Sequence, residues 1–366
     1  MRPTDFTTLR ARLLLAVGAL TAASLHGGAR ADTPGELKTV CIPPQTPGGC
    51  PADDDALTQI RERDQPACFL SLDKPGATLV NGECCYEVRY DCTAHVAGCS
   101  ISGRPLLIEG RPLEGAARRV LGWQNARLKS PELAGLSTEE RHLLALHWAR
   151  IGAAEYASVA GFQRFAMDLM ANGAPSDLIV HAQRAALDEV RHARLAFTLA
   201  SAFAGTPIGP AALDLPAAVP IHRSLTELAV ATAMEGCTVE TLSACLLAEA
   251  LHHATDPAVT AALTQMRRDE DRHATLAWQT LSWALAQDPT SLGPVDDALE
   301  RAITELATEG FAHSGGLQRF GLLAPSQAEA CRAAAVHMVI EPCREALGSD
   351  RGRGRACGLR RGGLLS

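Results

Sequence analysis

Two stretches of this chain decide its reading: Leu187-Asp188-Glu189-Val190-Arg191-His192-Ala193 and Arg268-Asp269-Glu270-Asp271-Arg272-His273-Ala274. Both contain Asp-Glu-x-Arg-His-Ala, and the two copies lie 81 residues apart. Duplication at that distance marks an internal repeat. Glu and His at i and i+3 share one face of a helix, so both side chains can reach one ion. A lone Glu-x-x-His is weak, because Glu139/His142 and Glu249/His252 show the same spacing. Glu139 falls in a capping turn and Glu249 near a helix end, where surface positions are the rule. What separates the two chosen copies is their shared flanks, their mid-helix position and a Glu upstream of each.

Working outward, the spacing predicts four helices. Ser137-Thr138-Glu139-Glu140 reads as a capping box, and an Ala-rich helix follows to about residue 171. Asn172-Gly173-Ala174-Pro175 ends it, and Ser176 is expected to cap a second helix that runs to about residue 204. A Pro-rich crossover covers residues 206–220; Ser224 then opens a third helix to about residue 254. Asp256-Pro257 turns the chain into a fourth helix to about residue 286. Short turns within each pair and one long connection between pairs make a four-helix bundle over residues 136–290.

Each helical hairpin offers a further carboxylate on its first helix. In the first it is Glu155, 34 residues before Glu189. In the second, Glu240 repeats the Glu-x-x-Ser pattern of Glu155 and has small neighbours, Gly236 and Ala244. Glu235 competes with it, lying 35 residues before Glu270 on an apolar stripe. The expected ligand set is Glu155, Glu189, His192, Glu240, Glu270 and His273, with Glu235 as the alternative on the third helix. Two lone Glu with two Glu-x-x-His pairs is the di-metal carboxylate arrangement of helix bundles. Four carboxylates balance two divalent ions, which lowers the cost of burying them. The competing reading is a polar core without metal.

Outside this set, Asp188 and Asp269 are placed to accept the far N–H of a ligand His across the bundle. Arg191 and Arg272 can pair with those Asp or form plain exposed salt bridges. Tyr156 follows a ligand and reads as a hydrogen-bonding or redox-active tyrosine, or as a packed aromatic. Cys237 and Cys245 read either as partners of Cys331 or Cys343 in disulfides or as buried thiols.

The residues 139–286 resemble the ferritin-like superfamily, especially its rubrerythrin-like and di-iron carboxylate members. The resemblance rests on Asp188-Glu189-x-x-His192, Asp269-Glu270-x-x-His273, Glu155 and Glu240. It implies two iron ions, or iron with manganese, in a centre that reacts with oxygen or peroxide as an oxidoreductase. Manganese or zinc also suits these ligand types. A rubredoxin-like Cys-pair module is absent, so no electron-delivery site is legible. A non-catalytic metal-binding or storage protein, and a metal-stabilised surface or interaction protein, are the alternative readings.

The rest of the chain bounds the setting. Arg2, Arg10 and Arg12, the apolar run Leu13 to Leu25 and Ala29-Arg30-Ala31 read as a signal peptide over residues 1–31. The run is short for a membrane anchor, and no later stretch reads as a transmembrane segment. The expected location is therefore exported, periplasmic or secreted. Seven of the 12 Cys fall between Cys41 and Cys99. That density predicts a disulfide-rich small domain over residues 32–110, with an unidentified protein partner. None of the seven has the spacing of a zinc knuckle. Residues 111–135 read as a linker that packs on the bundle, 291–348 as accessory helices and 349–366 as a disordered basic tail. A net charge of −7 gives no support to nucleic-acid binding. The fold class is mainly α, consistent with 47% hydrophobic and only 4% aromatic residues.

Overall fold

Capping chemistry sets where the long helices start. In the computed structural model, Ser137 accepts the N–H of Glu140 while the Glu140 carboxylate accepts that of Ser137. The structure describes residues 3–17, 36–44, 49–52, 55–56, 59–60, 69–72, 76–91, 103–108, 111–306 and 316–348. Among them the chain is mainly helical, with a small strand region near the N-terminus that carries two disulfides.

The strands come first. β1 (Glu36–Ile42), β2 (Phe69–Leu72), β3 (Thr78–Val80) and β4 (Glu83–Asp91) form one antiparallel sheet around β4. Asn81 and Gly82, both at positive φ, close the β3–β4 hairpin, the turn that matches strand twist. Cys41 sits directly opposite Cys85 and is bonded to it; Cys50 is bonded to Cys84. Val40, Ile42, Tyr86 and Val88 make a small core under these links. Cys68, Cys92, Cys99 and the basic tail lie outside the described residues. Short strand pairs follow: β5 (Leu107–Ile108) with β6 (Arg111–Pro112), and β7 (Ala117–Arg119) with β8 (Ile208–Pro210) in the crossover.

The helices follow the expected boundaries closely. α2 (Thr138–Ala171) and α3 (Ser176–Ala204) form the first hairpin. Ser176 gives no side-chain cap to α3, whose cap position is Pro175. The third helical stretch is not uniform: α4 (Leu225–Ala231), a π-helical turn (Thr232–Thr238) and α5 (Val239–His253) run end to end. Ser224 and Glu227 cap it reciprocally. α6 (Pro257–Gln287) starts at Asp256, whose carboxylate accepts the N–H groups of Ala258 and Val259. α5 packs on α6, and α3 packs on α6 across the hairpins. α7 (Leu292–Glu305), α8 (Pro325–Ala335), a second π turn (Val336–Ile340) and α9 (Glu341–Gly348) are the last helical elements among the described residues, with Pro342 at the start of α9. The stretch Leu225–His253 is long and apolar enough to cross a membrane, contrary to the sequence reading, yet 83% of its 18-residue apolar window is buried inside the protein.

The segment expected as a leader is α1 (Pro3–Val17). It packs on α6, the second π turn and α9, with Phe6, Leu9 and Leu13 buried in the main core. Arg12 pairs with Asp271 at 3.3 Å. Burying three large apolar side chains contributes about 1.5–3 kcal/mol each in favourable packing. Removing residues 1–31 should therefore lower the melting temperature in a thermal unfolding scan. An unchanged midpoint would show that α1 adds no net burial.

Candidate metal centre

Helical periodicity delivers six polar side chains to one place inside an apolar core. Glu155 comes from α2, Glu189 and His192 from α3, Glu240 from α5, Glu270 and His273 from α6. All six are 0–2% exposed. Ala244, Ala274 and Ala277 on the same helices are buried too, and such small residues let helices approach closely.

The six form two overlapping groups. Ligand atoms of Glu155, Glu189, His192 and Glu270 all lie within 4.8 Å of one another, as do those of Glu240, Glu270 and His273. Glu270 belongs to both. Its Oε1 lies 3.4 Å from Nδ1 of His192 and 3.4 Å from Nδ1 of His273. Glu189 Oε1 also reaches both, at 3.7 and 3.1 Å. Glu155 lies 3.4 Å from His192 alone and Glu240 3.7 Å from His273 alone. The arrangement has an approximate two-fold relation that mirrors the sequence repeat.

Behind each His stands the Asp of the other copy. His192 Nε2 donates to Asp269 Oδ2 at 3.2 Å, and His273 Nε2 donates to Asp188 Oδ2 at 3.3 Å. Burial would raise the Asp269 carboxyl, but hydrogen bonds from His192 and Gln265 hold it well below the usual range. An ionised Asp can only accept, so a proton sits on Nε2, and Nδ1 is the nitrogen that faces the chamber. Arg272 pairs with Asp188 at 2.9 Å and with Asp269 at 2.7 Å, and Arg191 pairs with Asp188. Both Arg are half-exposed, so they lend orientation more than energy.

The donor set fits a metal ion. Both carboxylate oxygens of Glu155, Glu189, Glu240 and Glu270, and Nδ1 of both His, are buried without a hydrogen-bond partner. Buried polar atoms are ordinarily paired. Without metal the site holds protons instead. Burial, with Glu155 and Glu270 beside it, pushes the Glu189 carboxyl well up, and burial with Glu270 does the same to Glu240. Burial opposes charge on His192 and His273, yet the carboxylates around them raise both well above the usual imidazole range.

Six further residues of the sequence reading lie outside this group. Glu235 is buried in the π turn and pairs with Arg104 and Arg164, not with the six. Glu235 lies within the π turn and Glu240 just after it, and Glu240 reaches His273 while Glu235 reaches the arginines. Tyr156 packs edge-on against Trp123, ring centroids 5.3 Å apart, in a satellite cluster with Phe197. The four described free cysteines, Cys237, Cys245, Cys331 and Cys343, are buried thiols. Of the stray Glu-x-x-His pairs, Glu249 bonds His253 and His252 is exposed.

Sequence reasoning missed Gly103, Arg104 and Arg164, which adjoin the site. One signal was available: Gly161 and Gly236 interrupt Ala-rich helices, where a glycine costs about 1 kcal/mol and so implies a packing reason. Comparison with protein-family models, with curated proteins and with solved structures finds no match for this chain.

Two outcomes follow from this geometry. Asp188→Asn and Asp269→Asn should each weaken metal affinity about 10–100-fold in competition with a chelator. Protons held by Glu189, Glu240 and the two His must leave when an ion enters. Metal uptake should therefore acidify an unbuffered solution and tighten as pH rises from about 6 to about 8. Uptake without proton release would contradict the protonation scheme.

Proposed function

We propose that α2, α3, the α4–α5 stretch and α6 are a ferritin-like four-helix bundle holding a di-iron, or iron–manganese, carboxylate centre that reacts with oxygen or peroxide. The observation that supports it most is the convergence of unpartnered carboxylate and imidazole atoms from four helices, with an Asp behind each His. Glu155, Glu189, His192 and Glu270 would hold one ion; Glu240, His273, Glu270 and Glu189 the other. Bound metal would supply the electrons that dioxygen or peroxide takes up.

The chain's own residues set the conditions for that chemistry. Asp188 and Asp269 fix each imidazole so that Nδ1 faces the chamber. Glu189 and Glu270 touch both His and so fit bridging positions. Glu155 and Glu240 each touch one. Phe162 stacks edge-on to His273 with centroids 5.0 Å apart, and it closes that flank to water. The two disulfides favour an oxidising compartment, so this reading places the protein outside the cytoplasm.

The test is elemental analysis with an oxygen electrode. Wild-type protein should carry about two ions per chain, as bundles of this type do. After reduction it should consume oxygen with a change in absorbance. Glu189→Ala with Glu270→Ala should abolish stoichiometric metal. Retained metal in that variant would refute the ligand assignment. Stoichiometric metal without oxygen consumption would assign the centre to storage or to stabilising an interaction surface.

A further inference from the structure

Three sides of the metal chamber are closed by helix packing. α2 rests on α3, α3 on α6, and α6 on α5. The fourth side, between α2 and the π turn, is filled by the chain itself. Gly103 and Arg104, which follow the disulfide-linked strands in sequence, thread into that gap.

The fit there is tight. A Cβ on Gly103 would lie 2.5 Å from Oε2 and 2.9 Å from Cδ of Glu189, so the backbone already touches a ligand carboxylate. The Arg104 carbonyl lies against Gly161 of α2, where a Cβ would come within 2.5 Å of it. The Arg104 guanidinium packs over the Phe165 ring at 3.8 Å and beside Gly236 of the π turn. Gly161 and Gly236 are therefore the two notches that admit this segment, one from each helix.

A buried ion cluster holds it. Arg104 reaches Glu235 Oε2 through Nε at 3.2 Å and Nη2 at 3.1 Å. Arg164 pairs with the other oxygen of Glu235 and donates to the Leu107 carbonyl at 3.0 Å. Asp168 supplies the second negative charge, 3.6 Å from Arg164, and accepts from the His222 backbone at 2.8 Å. The His222 ring adds a contact to Asp168 at 3.0 Å. Arg104, Arg164, Glu235 and Asp168 are at most 2% exposed. Two positive and two negative groups so placed offset each other's burial, and they fix geometry more than they add stability.

We propose that residues 103–107 are the closing wall of the metal chamber and that Arg104 is the positioning residue that latches it. This inference rests on the metal-centre reading for its consequence: the wall limits how fast an ion leaves.

The latch is tested with Arg104→Met/Glu235→Gln, which removes one charge of each sign and keeps side-chain volume. Ferrous ion loaded without oxygen should pass to a ferrous chelator about tenfold faster than from wild type, the scale of losing an outer-shell support. In the metal-free protein, hydrogen exchange at the Leu106 and Leu107 amides should quicken. Wild-type release and wild-type protection in a variant of normal helical content would overturn the proposal. If wild-type protein takes up no ferrous ion, the metal reading fails, while the exchange measurement still decides the latch. If the double variant does not fold, Arg104→Lys takes its place, with faster exchange expected and unchanged exchange overturning. Gly103→Ala should lower ferrous uptake in a folded protein; normal uptake would remove Gly103 from the chamber wall.

Discussion

Four carboxylates and two imidazoles meet in a core of alanine, leucine and aromatic side chains, with their inward atoms unpartnered. An unpaired ion in such a place costs several kcal/mol even after relaxation. A whole domain is stable by only about 5–15 kcal/mol. Leaving all four carboxylates charged and alone would spend most of that margin, so the site needs cations. Protons are one answer, which is why Glu189 and Glu240 hold theirs in the metal-free protein. Divalent ions are the other, and carboxylates beside imidazole nitrogens are ligand types that suit them. The remaining features serve this constraint. Small residues beside the ligands make room, Asp188 and Asp269 set the tautomers, and the long helices bring six side chains to one depth.

Much of this was legible because the chemistry is written twice. The repeated Asp-Glu-x-Arg-His-Ala fixes which face of α3 meets which face of α6, and with it the crossed Asp–His bonds. Capping signals at Ser137, Ser224 and Asp256 placed helix starts, since each satisfies backbone N–H groups that a helix leaves open. Between Glu235 and Glu240 the sequence favoured Glu240, on its Glu-x-x-Ser match to Glu155 and its small neighbours. The π turn that holds Glu235 was hidden, because no local pattern distinguishes it from an ordinary helix of the same residues. Arg104 was hidden for another reason. It lies 51 residues before Glu155 in irregular chain, and only tertiary packing brings it to Glu235.

The N-terminal segments show how sequence type and placement can diverge. Residues 3–17 have the composition of a leader, yet Phe6, Leu9 and Leu13 are buried among α6, the second π turn and α9. An amphipathic segment that precedes an apolar groove will satisfy both descriptions, because both need short apolar runs. The disulfide-linked strands are held differently. Their own core is small, and the next described segment in sequence, residues 103–108, is bonded into the helices through Arg104.

The most direct test of the metal centre is crystallographic. Anomalous difference maps at the iron edge, from crystals of protein loaded with ferrous ion, locate scatterers without assuming their ligands. The account predicts two peaks, one beside Nδ1 of His192 with Glu155 and one beside Nδ1 of His273 with Glu240, with Glu189 and Glu270 between them. Maps with no peak at either histidine would contradict it.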